Sequence, residues 1–91
     1  MEMKVTVVFL ARAGDIVDPS NRVVELELPE GSILRDLFRE ISKTVSRRLG
    51  DGVLSGRLVF KIWVDGVETA NFLMRLRDGS RVTISTPEMG G

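Results

Sequence analysis

Residues 76–91, LRDGSRVTISTPEMGG, contain the pattern on which the fold prediction depends. Asp78-Gly79 is a turn signal, and residues 81–85 then alternate between polar and apolar side chains. Alternation with a period of two is typical of a strand that has one face in the core. Pro87 has no backbone N–H group, so it is expected to end the strand pairing. The sequence therefore predicts a last strand over residues 81–85 and a tail that Pro87 directs outward.

Two further strands are predicted near the start of the chain. Residues 4–12 alternate with a period of two, and their odd positions form the more apolar face. Residues 24–28 alternate valine or leucine with glutamate. Turn-forming residues lie between the two segments, at Gly14-Asp15 and in residues 18–21. We therefore expect these two strands to form a hairpin.

A long amphipathic helix is predicted after the strand break at Pro29-Glu30-Gly31. Ser32 is well placed to cap it, and Asp36 lies in an early turn, where the helix dipole favours an acidic side chain. Apolar residues recur at spacings of three and four between residues 33 and 49, which indicates a helix of about 16 residues or more. Gly50-Asp51-Gly52 is the predicted stop signal, because these residue types tolerate positive φ.

The remaining segments complete an α+β fold. Residues 58–64 are a predicted strand that ends in a tight turn at Asp65-Gly66, and residues 71–77 form a short segment before the last strand. One main helix packed on one face of a mixed four- to five-stranded sheet accounts for this order of elements. We expect a single domain over residues 1–87 and a flexible tail over residues 88–91.

The composition excludes several classes of function. Thirteen basic residues balance thirteen acidic ones, so no net charge attracts nucleic acid. The chain has neither cysteine nor histidine, which excludes a thiolate nucleophile, a disulfide, a cysteine- or histidine-ligated zinc site and a histidine acid–base pair. Neither a signal peptide nor an apolar stretch of about 20 residues is apparent. We expect a cytoplasmic protein that has no metal site and is not itself an enzyme.

The C-terminal residues 76–91 resemble the signature of the molybdopterin-synthase small subunit and of the thiamin-pathway sulfur carriers. In this family Asp-Gly precedes an alternating strand, which is followed by proline, two variable residues and a terminal Gly-Gly. Val64-Asp65-Gly66 and the opening strand over residues 5–11 match as well. Ser80 departs from the family, where an acid is usual, as does Thr86, where proline is frequent. The resemblance implies the β-grasp fold of ubiquitin.

The resemblance also implies a role for Gly90 and Gly91 as the carrier group. In this family the terminal carboxylate is adenylated by a separate, ubiquitin-activating-type enzyme that uses ATP. The chain has no glycine-rich phosphate-binding motif, so we expect it to bind no ATP and no other cofactor itself. Glycine lacks a Cβ atom, so an extended Gly-Gly end fits a narrow tunnel. Because the chain has no cysteine, sulfur is expected to be carried as a thiocarboxylate on Gly91.

Several functions remain open for such a carrier. Sulfur delivery for molybdopterin is the first expectation, with the large subunit of molybdopterin synthase as a partner, and tRNA thiolation is another route. Conjugation of Gly91 to lysines of target proteins is the alternative within the class. The long segments 13–21 and 50–56 resemble those of the larger archaeal or eukaryotic-type modifiers. A non-covalent interaction module, for which Gly-Gly is simply a frayed end, is the alternative from another class. We expect no direct contact with nucleic acid or membrane.

A partner surface is expected on the sheet face that points away from the helix. If the odd positions of the first strand face the helix, Val8 and Leu10 lie on the outer face, and Trp63 joins them by its phase. An exposed apolar patch of this kind is a candidate docking surface. Trp63 has an alternative role as a cover for the core edge. Further partner-contact candidates near the tail in sequence are Arg75, Arg77, Arg81 and Met89; a solvated strand edge is the alternative for the arginines.

Overall fold

The sheet is built around the opening strand. In the computed structural model, which describes residues 1–86, strand β1 comprises Glu2–Leu10. It pairs antiparallel with β2, Val23–Pro29, and parallel with β5, Arg81–Ser85. The predicted pairing of the first two strands and the predicted last strand are therefore confirmed.

Two shorter strands complete the sheet. β3, Lys61–Val64, pairs antiparallel with both β5 and β4, Val67–Glu68, and the strand order is β2-β1-β5-β3-β4. The predicted mixed sheet is confirmed, with five strands. β3 begins at Lys61 and not at Leu58, because the Leu58 N–H donates a hydrogen bond to the carbonyl of Gly52 at 2.9 Å and is held next to the preceding helix.

Both predicted Asp-Gly turns are present. Asp65 and Gly66 have φ values of 51° and 85°, as a two-residue hairpin turn between β3 and β4 requires. Gly79 has a φ of 84°, and the carboxylate of Asp78 accepts a hydrogen bond from the backbone N–H of Lys4 at 2.8 Å. The second turn is thus tied to β1 and fixes where β5 begins.

The single long helix predicted for residues 33–49 is wrong. This region forms two helices, α2, Leu34–Thr44, and α3, Arg47–Leu54. Ser46 between them has extended backbone angles, and its hydroxyl accepts a hydrogen bond from the N–H of Leu49 at 3.1 Å. A serine bonded in this way caps a new helix. The main helix on the sheet is therefore α2, which is shorter than predicted, and α3 packs against it.

Gly50 and Gly52 do not stop a helix, because both lie inside α3. A Cβ atom added to Gly50 would lie 2.6 Å from the backbone nitrogen of Ser42 and 2.7 Å from the carbonyl oxygen of Phe38. These are backbone atoms of α2, so the two helices approach too closely for any side chain at position 50. Gly50 is needed for helix packing and not for chain reversal.

The start of α2 also differs from the prediction, because Ser32 does not cap it. The Ser32 hydroxyl donates to the carbonyl of Pro29 at 2.6 Å. The first two N–H groups of α2 donate instead to the carbonyls of Met74 and Phe72, both at 2.8 Å. N–H groups at the start of a helix have no acceptor within the helix. Here a segment distant in sequence supplies the two acceptors.

Asp36 lies in the first turn of α2, as predicted, and its carboxylate accepts a hydrogen bond from the N–H of Ile33 at 2.9 Å. Replacing Asp36 with alanine should lower the free energy of unfolding by about 1 kcal/mol, because a capping bond and a favourable dipole interaction are both lost. Urea unfolding followed by Trp63 fluorescence measures this change. Glu40→Ala, further along the same helix, is the control, and an equal loss there would contradict the capping role.

The connection between β1 and β2 contains helices where turns were predicted. Gly14-Asp15 lies in α1, Arg12–Ile16, and a 3-10 helix follows at Pro19–Asn21. Asp18 caps the 3-10 helix, because its carboxylate accepts hydrogen bonds from the hydroxyl of Ser20 at 2.7 Å and from the Ser20 N–H at 3.0 Å. These bonds favour the charged form and hold the pKa of Asp18 below its ordinary value.

The core lies between the inner face of the sheet and the helices. The odd positions of β1 point into it, which confirms the predicted phase of that strand. The largest fully buried side chains are Phe9, Phe38, Leu34, Leu37, Ile41, Leu49, Ile84, Val5, Val7 and Val82. No helix within residues 1–86 combines the length and apolar character needed to cross a bilayer.

Candidate functional site at the outer face of the sheet

Strand β5 carries the chain toward its C-terminal residues from the middle of the sheet. Its last residue, Ser85, lies opposite Leu10 in β1 and Lys61 in β3. The described part of the chain therefore ends just past these two side chains. The predicted tail residues Pro87, Met89, Gly90 and Gly91 lie outside the described residues.

One row of outer-face side chains crosses all five strands. The strand registers align Val23, Val8, Thr83, Trp63 and Glu68 from one edge to the other. Neighbouring strands are about 4.8 Å apart, so Val8 and Trp63, with β5 between them, are separated by about 10 Å. The next row contains Leu10, Ser85 and Lys61 and leads to the end of β5.

Four side chains of these rows are apolar, and we call them the outer patch: Val8, Leu10, Val23 and Trp63. Thr83 and Ser85 of β5 lie between Trp63 and the other three. Leu10 and Val23 keep 47% and 59% of their accessible surface, and Trp63 is half-buried. Exposed apolar side chains in one contiguous group are typical of protein docking surfaces. The patch lies beside the strand that leads to the tail.

Val8 is a correction to the predicted site. It lies on the outer face, as expected, but it is only 7% exposed. A side chain in a central strand is flanked by its cross-strand neighbours about 5 Å away, here Val23 and Thr83, and these cover it. Val8 therefore supports the patch from below and offers a partner little surface of its own.

The chain matches no protein-family model and no curated protein. Solved structures do resemble it. The putative molybdopterin converting factor subunit 1 from Pyrococcus furiosus is 28% identical, with a TM-score of 0.71, and the match covers 94% of this chain and 99% of that one. Small archaeal modifier protein 1 from Haloferax volcanii is 12% identical, with a TM-score of 0.68 and coverage of 94% and 99%. The chain is a ubiquitin-like β-grasp protein.

A third β-grasp structure is part of an assembly. The complex of subunits 1 and 2 of molybdopterin-converting factor from Helicobacter pylori contains a chain that is 22% identical, with a TM-score of 0.58, and the match covers 98% of this chain and 100% of that one. The sequence-based resemblance is confirmed, because the neighbours are molybdopterin converting factor subunit 1 proteins and archaeal modifiers.

The three predicted arginine contacts lie at the other end of the β-grasp sheet from Ser85. Arg81 is the first residue of β5, so about 13 Å of extended strand separates it from Ser85. Arg75 and Arg77 are further from that end, because Gly79, which follows them, donates its N–H to the carbonyl of Lys4 near the start of β1. All three are exposed, but their nearness to the tail in sequence is not nearness to the end of β5.

Sequence reasoning missed three outer-face residues. Val23 precedes the predicted second strand, and only the pairing register brings it beside Val8. Thr83 and Lys61 lie in predicted strands, but neither was predicted to be a partner contact. Lys61 shares the phase of Trp63 and lies directly opposite Ser85. The phase was a usable signal for Lys61, whereas the position of Val23 depends on the long connection between β1 and β2.

The outer face offers an apolar contact area of the kind that protein partners use. Within residues 1–86 no group of three or more acidic side chains is arranged to hold a metal ion. The ion pair from Lys4 to Glu25, at 3.9 Å, joins two side chains that are each 61% exposed, so it contributes little to stability. The described residues therefore supply an apolar contact area beside the end of β5.

Proposed function

We propose that this protein is a sulfur carrier whose terminal glycine, Gly91, is adenylated by a partner enzyme and converted to a thiocarboxylate. The proposal is supported by the outer patch beside the end of β5, on a chain that resembles the P. furiosus molybdopterin converting factor subunit 1 over 94% of its length. Molybdopterin biosynthesis is the pathway we favour, and the chain acts there as the substrate of other enzymes.

The proposed chemistry uses the C-terminal carboxylate alone. The carboxylate oxygen attacks the α-phosphate of ATP on the activating enzyme, so the acyl adenylate forms and pyrophosphate leaves. A hydrosulfide equivalent delivered by a sulfur donor then attacks the acyl carbon, the new C–S bond forms and AMP leaves. The residues of this chain position the tail through docking, and ATP is bound by the partner.

The proposed partners are a ubiquitin-activating-type adenylating enzyme and the large subunit of molybdopterin synthase. The H. pylori subunit 1 neighbour is solved as a complex with subunit 2, which supports a partner of the second kind. The outer patch is the surface we assign to such contacts, with Leu10 and Trp63 as anchors and Lys61 opposite Ser85 at the end of β5. We expect the complex to form in the cytoplasm.

The intact mass of the chain tests the proposal. The chain is incubated with the activating enzyme of its host, ATP and a sulfur donor, beside a Gly91-deleted control. We expect a gain equal to the exchange of one oxygen for sulfur, and no gain in the control. An activating enzyme that accepts another carrier but neither adenylates nor thiolates this chain would overturn the proposal.

Conjugation to proteins is the second candidate, and the likeness to small archaeal modifier protein 1 favours it. An isopeptide bond from Gly91 to a lysine leaves a recognisable remnant, because trypsin cuts after Arg81 and residues 82–91 contain no lysine or arginine. Digested host proteins that carry residues 82–91 on lysine would support modification. A non-covalent module would show neither the sulfur mass gain nor the remnant on lysine, and it would bind its partner equally well without Gly91.

A further inference from the structure

Strand β2 presents a free edge that the rest of the described chain leaves unpaired. It is seven residues long and pairs only with β1. The Glu30 N–H donates to the carbonyl of Met1, and the Phe9 N–H donates to the carbonyl of Arg22, both at 2.8 Å. Because backbone groups alternate in direction along a strand, this register turns those of Val23, Glu25 and Glu27 away from β1.

The side chains along this edge differ between the two faces. On the inner face Val24 and Leu26 are only half-buried, because they lie at the margin of the core. On the outer face Glu25 and Glu27 are exposed. An additional strand beside β2 would extend the core with its inner side chains and would meet two carboxylates with its outer ones.

The edge is the longer of the two in the sheet. The opposite edge strand, β4, has two residues and offers too little backbone to template a partner. Long unpaired edges of a sheet are sites at which an extended segment adds a strand. Pairing of β2 with β2 of a second copy is disfavoured, because it would bring glutamates of the two copies together, and like charges across strands destabilise the pairing.

We propose that the edge of β2 binds an extended segment of a partner protein in which lysine or arginine alternates with apolar residues. The backbone of the segment bonds to Val23, Glu25 and Glu27, its apolar side chains cover Val24 and Leu26, and its basic side chains pair with the two glutamates. The site shares Val23 with the outer patch, but it does not use the C-terminal carboxylate of the proposed carrier chemistry, and β1 separates β2 from β5. The Gly91-deleted chain should bind the segment equally well.

The test uses a seven-residue synthetic peptide in which lysine or arginine alternates with valine or isoleucine. Its binding to the full chain is followed by NMR. We expect the amide protons of Val23, Glu25 and Glu27 to become protected from hydrogen exchange when the peptide is present. Protection that is absent there, or perturbation centred on the Trp63 indole instead, would overturn the proposal.

Backbone methylation of the peptide separates strand addition from charge attraction. An added strand uses only every second peptide N–H toward β2, so methylating one alternate set should weaken binding at least about tenfold more than methylating the other. Equal affinities for the two methylated peptides would show that the backbone is not used, which overturns the proposal.

Charge reversal tests the specificity. The double variant Glu25→Lys with Glu27→Lys should bind the basic peptide about tenfold more weakly, because two favourable cross-strand pairs become repulsive. It should instead prefer a peptide with glutamate at the basic positions. Glu68→Lys, the same charge change on the other edge strand, is the control and should leave binding unchanged. The proposed partner would be refuted if the double variant still preferred the basic peptide to the glutamate peptide. It would also be refuted if sedimentation showed that the native chain self-associates through β2.

Discussion

Gly50→Ala is expected to lower the free energy of unfolding by about 3 kcal/mol and the melting temperature by about 15 °C. Alanine itself favours a helix over glycine by about 1 kcal/mol, so the loss must come from packing. The new methyl group would approach the backbone of α2 at Ser42 and Phe38, and these atoms cannot rotate away. The two helices would have to separate, and the contacts of buried Leu49 would be lost. Thermal and urea unfolding measure the effect.

Gly52→Ala is the matched control in the same helix. A Cβ atom at position 52 would lie 2.7 Å from Cγ of Leu58, which is a side-chain atom of a half-buried residue. That side chain can change rotamer, so the gain in helix propensity is retained and the stability should change by no more than about 1 kcal/mol. Equal destabilisation of both variants would mean that close helix approach is not the reason for Gly50.

The strands and the two Asp-Gly turns were predictable because their signals are local. The alternation in residues 81–85 and in the opening strand reflects one buried face, and each Asp-Gly pair supplies the backbone angles that its turn requires. The resemblance in residues 76–91 added the β-grasp fold, which periodicity alone does not give, and the structure then shows β5 between β1 and β3. Local pattern and family signature therefore agreed on the sheet.

The helices were not predictable to the same degree, because their ends depend on distant groups. The apolar spacing continues from α2 through Val45 to Leu49 of α3, so the pattern contains no sign of the break at Ser46. The first N–H groups of α2 donate to the carbonyls of Phe72 and Met74, and no residue close to the helix in sequence indicates these bonds. Glycine at position 50 has two uses, as a stop or as a close contact, and only the packing distinguishes them.

The candidate site was predicted in part. The phase of β1 and β3 placed Leu10 and Trp63 on the outer face, and the structure confirms this because each lies in register with an outer residue of β5. The burial of Val8 follows from cross-strand neighbours that the sequence does not align. The role of the three arginines as partner contacts stays a prediction. The structure shows that Arg81 begins β5 and Ser85 ends it, so closeness to the tail in sequence does not bring Arg81 close to the end of the strand.

Leu10→Arg and Trp63→Arg are each expected to lower kcat/KM for adenylation by about 100-fold, equivalent to about 2.7 kcal/mol of transition-state binding. A charged side chain in the outer patch would be desolvated when the activating enzyme docks, and the apolar contact would be lost as well. Pyrophosphate exchange at varied carrier concentration measures the effect. The change should appear mainly as a higher KM, because the residues dock the chain and do not touch the reacting carboxylate.

Leu73→Arg is the control that separates docking from a general effect of surface charge. Leu73 is 64% exposed, but its neighbours Phe72 and Met74 bond to the start of α2, so it belongs to the helix side of the domain. This variant should keep the native kcat/KM. All three variants should keep the native free energy of unfolding to within about 1 kcal/mol. Loss of activity in Leu73→Arg alone would move the docking surface to the helices. Native activity in all three would mean that the tail is recognised without the sheet, since the outer patch then adds nothing to activation.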